Sequence, residues 1–347
     1  MKILVSALEH SANVHLKSLK EHLDADIEFI GIFDKELGEP IVDLQSLAIM
    51  GVVDALKKLR FFFKLADEMV ELAQNADKIL LIDSSGFNLP LAKKLKKRYP
   101  NKEIMYYILP QAWAWKKKRI PVLAKTIDRL ASILPFEPDY YPDSAPIEYV
   151  GHPLLDQIKN FKTRINKEVK EIAFMPGSRK GEIKKLMPIF KELIEQLDVN
   201  ATLIIPKHFT ALEQKELYGD ISHINISHEA HKVLLRADFA FICSGTATLE
   251  AALIGIPFIL TYIAKPLDFF IGAKLFKIKE VGLSNIMFKK YNNTKLHPEF
   301  LQEEVTVKNL LQAYKEYKRE DFLHNSKHLR AYLKHGSSKR VAQLLSE

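Results

Sequence analysis

Lys78-Ile79-Leu80-Leu81-Ile82-Asp83-Ser84-Ser85-Gly86-Phe87-Asn88 is an apolar run that ends in an acid, two serines and a glycine. Four consecutive large apolar residues bounded by turn formers predict a strand buried on both faces, and such strands belong to parallel sheets. Downstream, residues 89–98 predict a helix and Ile104-Met105-Tyr106-Tyr107-Ile108 another strand. Upstream, residues 50–73 carry apolar residues at helical spacing. Further back, Lys2-Ile3-Leu4-Val5-Ser6-Ala7 predicts a first strand, residues 13–23 a helix and Ile27-Glu28-Phe29-Ile30-Gly31-Ile32 a strand. Alternation this regular implies β-α-β units and a parallel sheet.

A second series begins after Gly151-His152-Pro153 and a charged connection at residues 159–170. Glu171-Ile172-Ala173-Phe174-Met175-Pro176, Ala201-Thr202-Leu203-Ile204-Ile205, Phe239-Ala240-Phe241-Ile242 and Pro257-Phe258-Ile259-Leu260 read as strands, with helices expected at 182–197 and 231–236. At about 150 residues per domain, 347 residues make about two domains. The expected architecture is α/β: two Rossmann-like domains, residues 1–160 and 161–320, with a cleft between them. No internal repeat has a solenoid period.

Composition narrows the classes. Hydrophobic residues at 47% and charged residues at 27% exclude a disordered or fibrous chain. Cys243 is the single cysteine, which excludes an intramolecular disulfide and cysteine-ligated zinc. The apolar start is interrupted at Glu9, too early for a signal-peptide core of about 7–15 residues, so a cytoplasmic location is expected. Residues 251–264 are uncharged, but 14 residues broken by Gly255 and Pro257 fall short of the roughly 20 that span a bilayer. Net charge is +8, and residues 93–129 hold 12 Lys and Arg against Glu103 and Asp128, with Tyr106, Tyr107, Trp113 and Trp115 among them. Such a stretch suits anionic lipid, nucleic acid or a phosphorylated substrate, and it equally suits a solvated helix face with a basic loop.

Open parallel sheets bind ligands beyond the carboxyl ends of their strands, which singles out three segments. Pro176-Gly177-Ser178-Arg179 ends a strand before a helix opens, so backbone N–H groups and the guanidinium suit a phosphate; a Pro-Gly turn with an exposed arginine is the other reading. In Cys243-Ser244-Gly245-Thr246-Ala247-Thr248-Leu249-Glu250, small residues admit a ligand to the backbone. Ser244 and Thr246 there offer hydroxyls, and Glu250 can accept from a ribose; the other reading is a capped helix. Asp83 can accept a proton from an attacking hydroxyl, or cap the next helix. His223, His228 and His231 match no metal-ligand spacing and read as surface residues, and Cys243 reads as a small buried residue. No Gly-rich dinucleotide fingerprint and no Walker loop is present, against a nicotinamide dehydrogenase or a P-loop ATPase.

Several segments, in their order along the chain, resemble the lipid-A-disaccharide synthase family, inverting glycosyltransferases with the two-domain GT-B fold. In the first half they are Leu47-Ala48-Ile49-Met50-Gly51-Val52-Val53, Trp113-Ala114-Trp115 with residues 116–119, Leu134-Pro135-Phe136-Glu137 and Gly151-His152-Pro153. In the second half they are Met175-Pro176-Gly177-Ser178-Arg179, Ser244-Gly245-Thr246-Ala247-Thr248-Leu249-Glu250, Tyr262 with Lys265-Pro266, and Val281-Gly282-Leu283-Ser284-Asn285-Ile286. The resemblance implies transfer of a diacylated glucosamine from UDP to the 6-hydroxyl of diacylglucosamine 1-phosphate, with no organic cofactor and no metal. It places UDP on the second domain, with Gly177, Ser178 and Arg179 at the diphosphate, Ser244, Gly245 and Thr246 around the phosphates, Glu250 at the ribose and Asn285 nearby. Asp83 and Arg179 become the catalytic pair, and Glu9, Ser11 and Asn88 the acceptor-side residues.

Two segments depart from the family pattern. Leu8-Glu9-His10-Ser11-Ala12-Asn13 stands where the family reads Gly-Glu-x-Ser-Gly-Asp, and Asp83-Ser84-Ser85-Gly86-Phe87-Asn88 where it reads Asp-x-Pro-Asp-Phe-Asn. Either the acceptor site tolerates these changes or the acceptor is a different acyl-sugar. Acylated substrates imply a peripheral position on the cytoplasmic face of the inner membrane. Leu59-Arg60-Phe61-Phe62-Phe63-Lys64-Leu65, and Pro266-Leu267-Asp268-Phe269-Phe270 with residues 274–279, are the candidate contacts, each otherwise a core helix with charged edges. Residues 321–347 are helical in pattern. In GT-B proteins such a helix packs back on the first domain, or it exchanges between subunits of a homodimer. The competing readings are a MurG-type transferase, a UDP-N-acetylglucosamine 2-epimerase, and a non-catalytic nucleic-acid-binding protein; nucleic acid is not expected as a partner.

Overall fold

Side chains alternate across a pleated strand, so a strand that is apolar throughout must be covered on both sides. In the first half of the chain, Leu4, Ile79, Leu81, Ile104 and Tyr106 face one way, while Ile3, Val5, Leu80, Ile82 and Tyr107 face the other. The computed structural model describes residues 1–42, 55–264 and 280–347. It divides into two compact units, Met1–Asp156 with Leu333–Glu347, and Gln157–Tyr332.

The first unit is a six-stranded sheet of β1 (Lys2–Ser6), β2 (Glu28–Ile32), β3 (Lys78–Ile82), β4 (Ile104–Tyr107), β5 (Arg129–Ser132) and β6 (Ile147–Tyr149), ordered β2-β1-β3-β4-β5-β6. Every pair is parallel. Helices Ala55–Leu72, Ser85–Arg98 and Ile120–Thr126 supply Leu65, Met69, Leu91, Leu95 and Leu123 to one face. Helix His10–Lys20 covers the other face with Leu16 and Leu19, and helix Ser337–Ser346 completes it with Val341 and Leu345. Each such side chain contributes roughly 1.5–3 kcal/mol on burial.

The C-terminal segment is held by Gly151-His152-Pro153 and its surroundings. His152 N donates to Leu333 O at 3.1 Å, and Asp156 accepts from Gly336 N at 2.7 Å and Ser338 N at 3.0 Å. Gly151 has φ 92°, and a Cβ there would lie 3.1 Å from Lys334 O, so the docked backbone itself demands glycine. Residues 321–347 are two helices, Phe322–Leu333 and Ser337–Ser346, parted where Lys334 and Gly336 take positive φ. Only the second joins the first unit, so the returning segment begins at 333 rather than 321.

The second unit contains β7 (Glu171–Met175), β8 (Asn200–Ile204), β9 (Asn225–Ser227), β10 (Phe239–Cys243), β11 (Phe258–Tyr262) and β12 (Glu299–Leu301), ordered β12-β11-β10-β7-β8-β9 and again parallel throughout. An aromatic cluster fills one face: Phe174 stacks on Phe241 with ring centres 5.3 Å apart, and Phe190 meets Phe174 edge-on at 5.4 Å. The charged connection is pinned to this unit. Lys162 donates from its backbone to Ile254 O and from Nζ to Leu235 O and Ala237 O, and Asp238 accepts from Asn166 Nδ2 and the Lys170 N–H. The units therefore divide at 156/157 and not at 160/161.

Helix starts are the commonest difference from expectation. Helix His10–Lys20 begins three residues before position 13, and helix Ser85–Arg98 four before position 89, taking in Asn88 and Pro90. The helix expected from residue 50 is described from Ala55. No helix among the described residues is long and apolar enough to cross a membrane.

Candidate active site

Loops from neighbouring parallel strands diverge to opposite faces only where strand order reverses, and that divergence opens a crevice at the carboxyl edge. The first sheet reverses between β1 and β3, the second between β7 and β10. Ser6 is in register with Leu81, and Ile242 with Met175, so in each unit the two loops leave side by side. Asp83 follows β3 at the first point, and Gly177, Ser178 and Arg179 with Ser244, Gly245 and Thr246 follow β7 and β10 at the second.

At the first point Asp83 and Ser84 both take left-handed φ, 51° and 41°, and Ile108 at the end of β4 has φ 61°. Three non-glycine residues in this region at one sheet edge hold strain of order 1–3 kcal/mol each, the kind of cost that marks functional turns. Buried polar side chains hold the turn. Asn88 Nδ2 donates to Ile82 O at 3.1 Å and to Asp83 O at 2.9 Å, while its Oδ1 accepts from Ser6 Oγ at 2.6 Å. Tyr106 Oη donates to Asp83 O at 2.5 Å. Burial raises the Asp83 carboxyl above its ordinary pKa, nearby Glu9 adds to the rise, and the Ser84 N–H opposes it. Ser84 Oγ donates to Glu9 Oε1 at 3.2 Å, which joins the β1 and β3 loops. Ser11 is exposed in the first turn of helix His10–Lys20.

Asn88 therefore acts on the backbone of Asp83. Expected among the acceptor-side residues, it is wholly buried, with both amide hydrogens and its oxygen engaged inside the protein. Asn13, at the end of the first-loop departure, does similar work: Nδ2 donates to Ala7 O and Glu9 O, and Oδ1 accepts from Asp34 N. Arg119 Nη1 donates to Ser85 Oγ at 3.1 Å, bringing the basic loop to this turn. Elsewhere in the basic stretch three cations are paired with carboxylates: Lys94 meets Asp67 at 2.6 Å, Lys96 meets Asp128 at 2.7 Å and Arg129 meets Glu103 at 2.7 Å.

At the second point Gly177 has φ 106°, and a Cβ there would lie 2.7 Å from Glu182 Oε2 and 3.1 Å from Cys243 Sγ. Only glycine lets the β7 turn lie this close to the end of β10. Helix Lys180–Glu195 starts next to Arg179, and helix Thr246–Ile254 follows Gly245 at its N-cap, so two helix N-termini open near the same edge. Gly245 and Thr246 are exposed and Ser244 half-buried. Arg179 Nη1 lies 3.0 Å from Glu182 Oε1, with 80% of the arginine side chain exposed against 12% of the glutamate. Cys243 is buried beneath the turn, its thiol pushed up to about 12 by desolvation and by Glu182.

Glu250, one turn into helix Thr246–Ile254, is half-buried, and His231 Nδ1 lies 3.5 Å from its Oε1. By its sequence His231 is a surface histidine; in the fold it has this carboxylate as a partner. His228 Nδ1 contacts Ile205 O at 2.8 Å. Asn285, expected near the nucleotide, has its polar atoms engaged within the protein. Fully buried, it donates to His297 O and Glu299 Oε1 and accepts from Leu296 N and His297 N, so all four of its hydrogen-bonding positions are used. It fastens helix Leu283–Asn292 to the start of β12 and offers no polar atom to a ligand. Residues 47–53 and 265–270, also singled out from sequence, lie outside the described residues.

Two parallel Rossmann-like sheets with polar turns at both reversal points are the construction of a GT-B glycosyltransferase. The crystal structure of MurG from Acinetobacter baumannii shares this fold, with a TM-score of 0.63 at 12% identity over 99% of each chain. The protein belongs to the Lipid-A-disaccharide synthetase family, which matches residues 3–346. It is 50% identical to the lipid-A-disaccharide synthase of Helicobacter pylori (strain ATCC 700392 / 26695), over 98% of this chain and 96% of that one. To the enzyme of the same name from Campylobacter jejuni (strain RM1221) it is 45% identical over 99% of both. It is a hexosyltransferase.

Proposed function

We propose that this enzyme transfers 2,3-diacylglucosamine from UDP-2,3-diacylglucosamine to the 6-hydroxyl of 2,3-diacylglucosamine 1-phosphate, forming the β-1,6 disaccharide 1-phosphate and releasing UDP. Asp83 takes the proton as the acceptor oxygen attacks the anomeric carbon from the face opposite the leaving diphosphate, which inverts the configuration. A carboxylate whose pKa is raised by burial is the stronger base for that transfer. Arg179, Ser178 and the N–H groups after Gly177, with Ser244, Gly245 and Thr246, receive the charge that grows on the diphosphate. Each such donor is worth a few kcal/mol in the transition state. Glu250 accepts from the ribose hydroxyls. Glu9 and Ser11 border the acceptor, and Arg119 beside Ser85 offers a cation to the acceptor's phosphate.

The observation that carries this reading is that the two turns meeting at the β7/β10 reversal are Gly177-Ser178-Arg179 and Ser244-Gly245-Thr246, in a chain of this family. Membrane contact follows from substrate chemistry. Phe62 and Phe63 are 36% and 54% exposed, and Phe62 packs 5.9 Å from Phe87 on the helix that follows Asp83, so an apolar surface adjoins the proposed acceptor turn. The enzyme then works peripherally on the cytoplasmic face of the inner membrane, and a homodimer is compatible with that attachment.

The test supplies both diacylated substrates and measures disaccharide and UDP together. Disaccharide formed by the wild type and lost in Arg179→Ala and Asp83→Ala supports the assignment. UDP binding without disaccharide formation leaves the donor half and rejects the acceptor.

A further inference from the structure

Glu250 has a conflict built into its position. To accept from two ribose hydroxyls it must be ionised, because a protonated carboxyl spends one oxygen as a donor. Its place on a buried helix opposes this: residues 248, 249 and 251–254 of helix Thr246–Ile254 are all buried, and burial raises the Glu250 pKa. The helix carries no other charged residue.

Among the described residues, one group answers that conflict. His231 stands in the first turn of helix Ala230–Arg236, with Nδ1 3.5 Å from Glu250 Oε1, and its effect on the carboxyl is opposite in sign to that of burial. The neighbouring cations are directed elsewhere. Lys232 pairs with Glu229 at 3.7 Å, Arg236 with Glu171 at 2.5 Å and Arg179 with Glu182 at 3.0 Å. Glu229 is itself held by Lys207, so it does not compete with Glu250 for the imidazole.

We propose that His231 is a positioning residue of the donor site: it holds the Glu250 carboxylate ionised and oriented toward the ribose of a uridine diphosphate ligand. This rests on the reading of Glu250 as the ribose acceptor. His231 touches the carboxylate and not the nucleotide, so its loss acts on donor binding and leaves the transfer step alone. A half-exposed charge-assisted contact is modest in energy, and its removal should raise the UDP dissociation constant about 3- to 10-fold near neutral pH. The KM for the sugar nucleotide should rise by the same factor, with kcat unchanged.

A merely structural histidine would not move the pH dependence of binding. UDP affinity falls in acid as Glu250 takes a proton, and without His231 to oppose burial that fall begins at higher pH. UDP is titrated calorimetrically into wild type, His231→Ala, His231→Arg and Glu250→Gln between about pH 5 and pH 8, a range that spans carboxylate and imidazole titration. Unfolding temperatures report the fold of each variant. The expected result is weaker binding and an acid limb moved to higher pH in His231→Ala, both restored in His231→Arg, which returns a cation and a donor. Wild-type affinity and limb in His231→Ala, with weakened binding in Glu250→Gln, overturns the role of His231 and leaves Glu250 at the ribose. Wild-type affinity in Glu250→Gln removes the ribose reading and this inference with it.

Discussion

The two reversal points share one topology and differ in chemistry. At β1/β3 the edge gathers carboxylates, and non-glycine residues are forced into left-handed φ at Asp83 and Ser84. At β7/β10 the left-handed position falls on Gly177, the turn packs tightly on Cys243, and two helix N-termini with Arg179 face outward. The difference suits the roles proposed for the two turns. A base has to be aimed, so the strained residue keeps its side chain and buried groups such as Asn88 and Tyr106 hold the backbone. An anion is met by backbone N–H groups, so there the side chain is dispensed with. A buried asparagine tightens each unit: Asn88 beneath Asp83, Asn285 between helix Leu283–Asn292 and β12.

That contrast is broken most directly at Asp83. Asp83→Asn is expected to lower kcat about 10²–10⁴-fold, the usual worth of a general base, with UDP affinity unchanged in calorimetry. Arg179→Ala should have the complementary profile, with transfer slowed about 10²- to 10³-fold and UDP bound more weakly. Equal effects of both substitutions on UDP affinity would dissolve the division of labour between the two turns.

Stability experiments sharpen it further. Glu137 is buried after β5 at the same edge of the first sheet, its Oε2 2.6 Å from Ser132 Oγ, and burial lifts its pKa from 4.5 to about 7. The folded protein then holds a proton that the unfolded chain releases, so stability falls as pH rises from 4.5 to about 7 and levels off above. Glu137→Gln, which needs no proton, should be more stable than wild type at pH 8 by about 3 kcal/mol and indistinguishable at acid pH. Thermal unfolding at the two pH values checks this, and a pH-independent difference would remove the proton from the account.

The smallest effects should come from the asparagines. Asn88→Asp sets a carboxylate against Ile82 O and Asp83 O, and Asn285→Asp sets one 2.7 Å from Glu299 Oε1. Each should cost about 1–3 kcal/mol of stability, the penalty for spoiling a buried hydrogen-bonding group. Asn88→Asp should also slow turnover through Asp83, while Asn285→Asp leaves UDP affinity of the folded protein unchanged. A loss of UDP affinity larger than the loss of stability would return Asn285 to the nucleotide.

Much of this was legible in the residues. Strands with long apolar runs announce themselves because burial on both faces admits nothing else, and the turns that follow them are where ligands of such sheets bind. β5, β6, β9 and β12 were not visible, being three or four residues long with half-exposed or polar positions such as Arg129, Glu148, Asn225 and Glu299. Helix starts at 10 and 85 were missed because their first turns carry serine, glycine and histidine, which read as loop until the strand before them fixes the direction of the chain.

The sequence by itself determined the α/β alternation, the parallel sheets and the polar turns that follow their strands, since these follow from local apolar periodicity and small residues after strand ends. Tertiary structure alone decided which polar residues face outward and which serve the backbone. Asn88 and Asn285 look like ligands in a motif, yet their hydrogen bonds are consumed by backbone groups, the Ser6 hydroxyl and the Glu299 carboxylate, near or far along the chain. His231 looks like a surface residue, yet a second helix sets Glu250 beside it. A hydrogen-bonding group is recruited by whatever partner packing brings within about 3 Å, and packing joins residues that no local spacing relates.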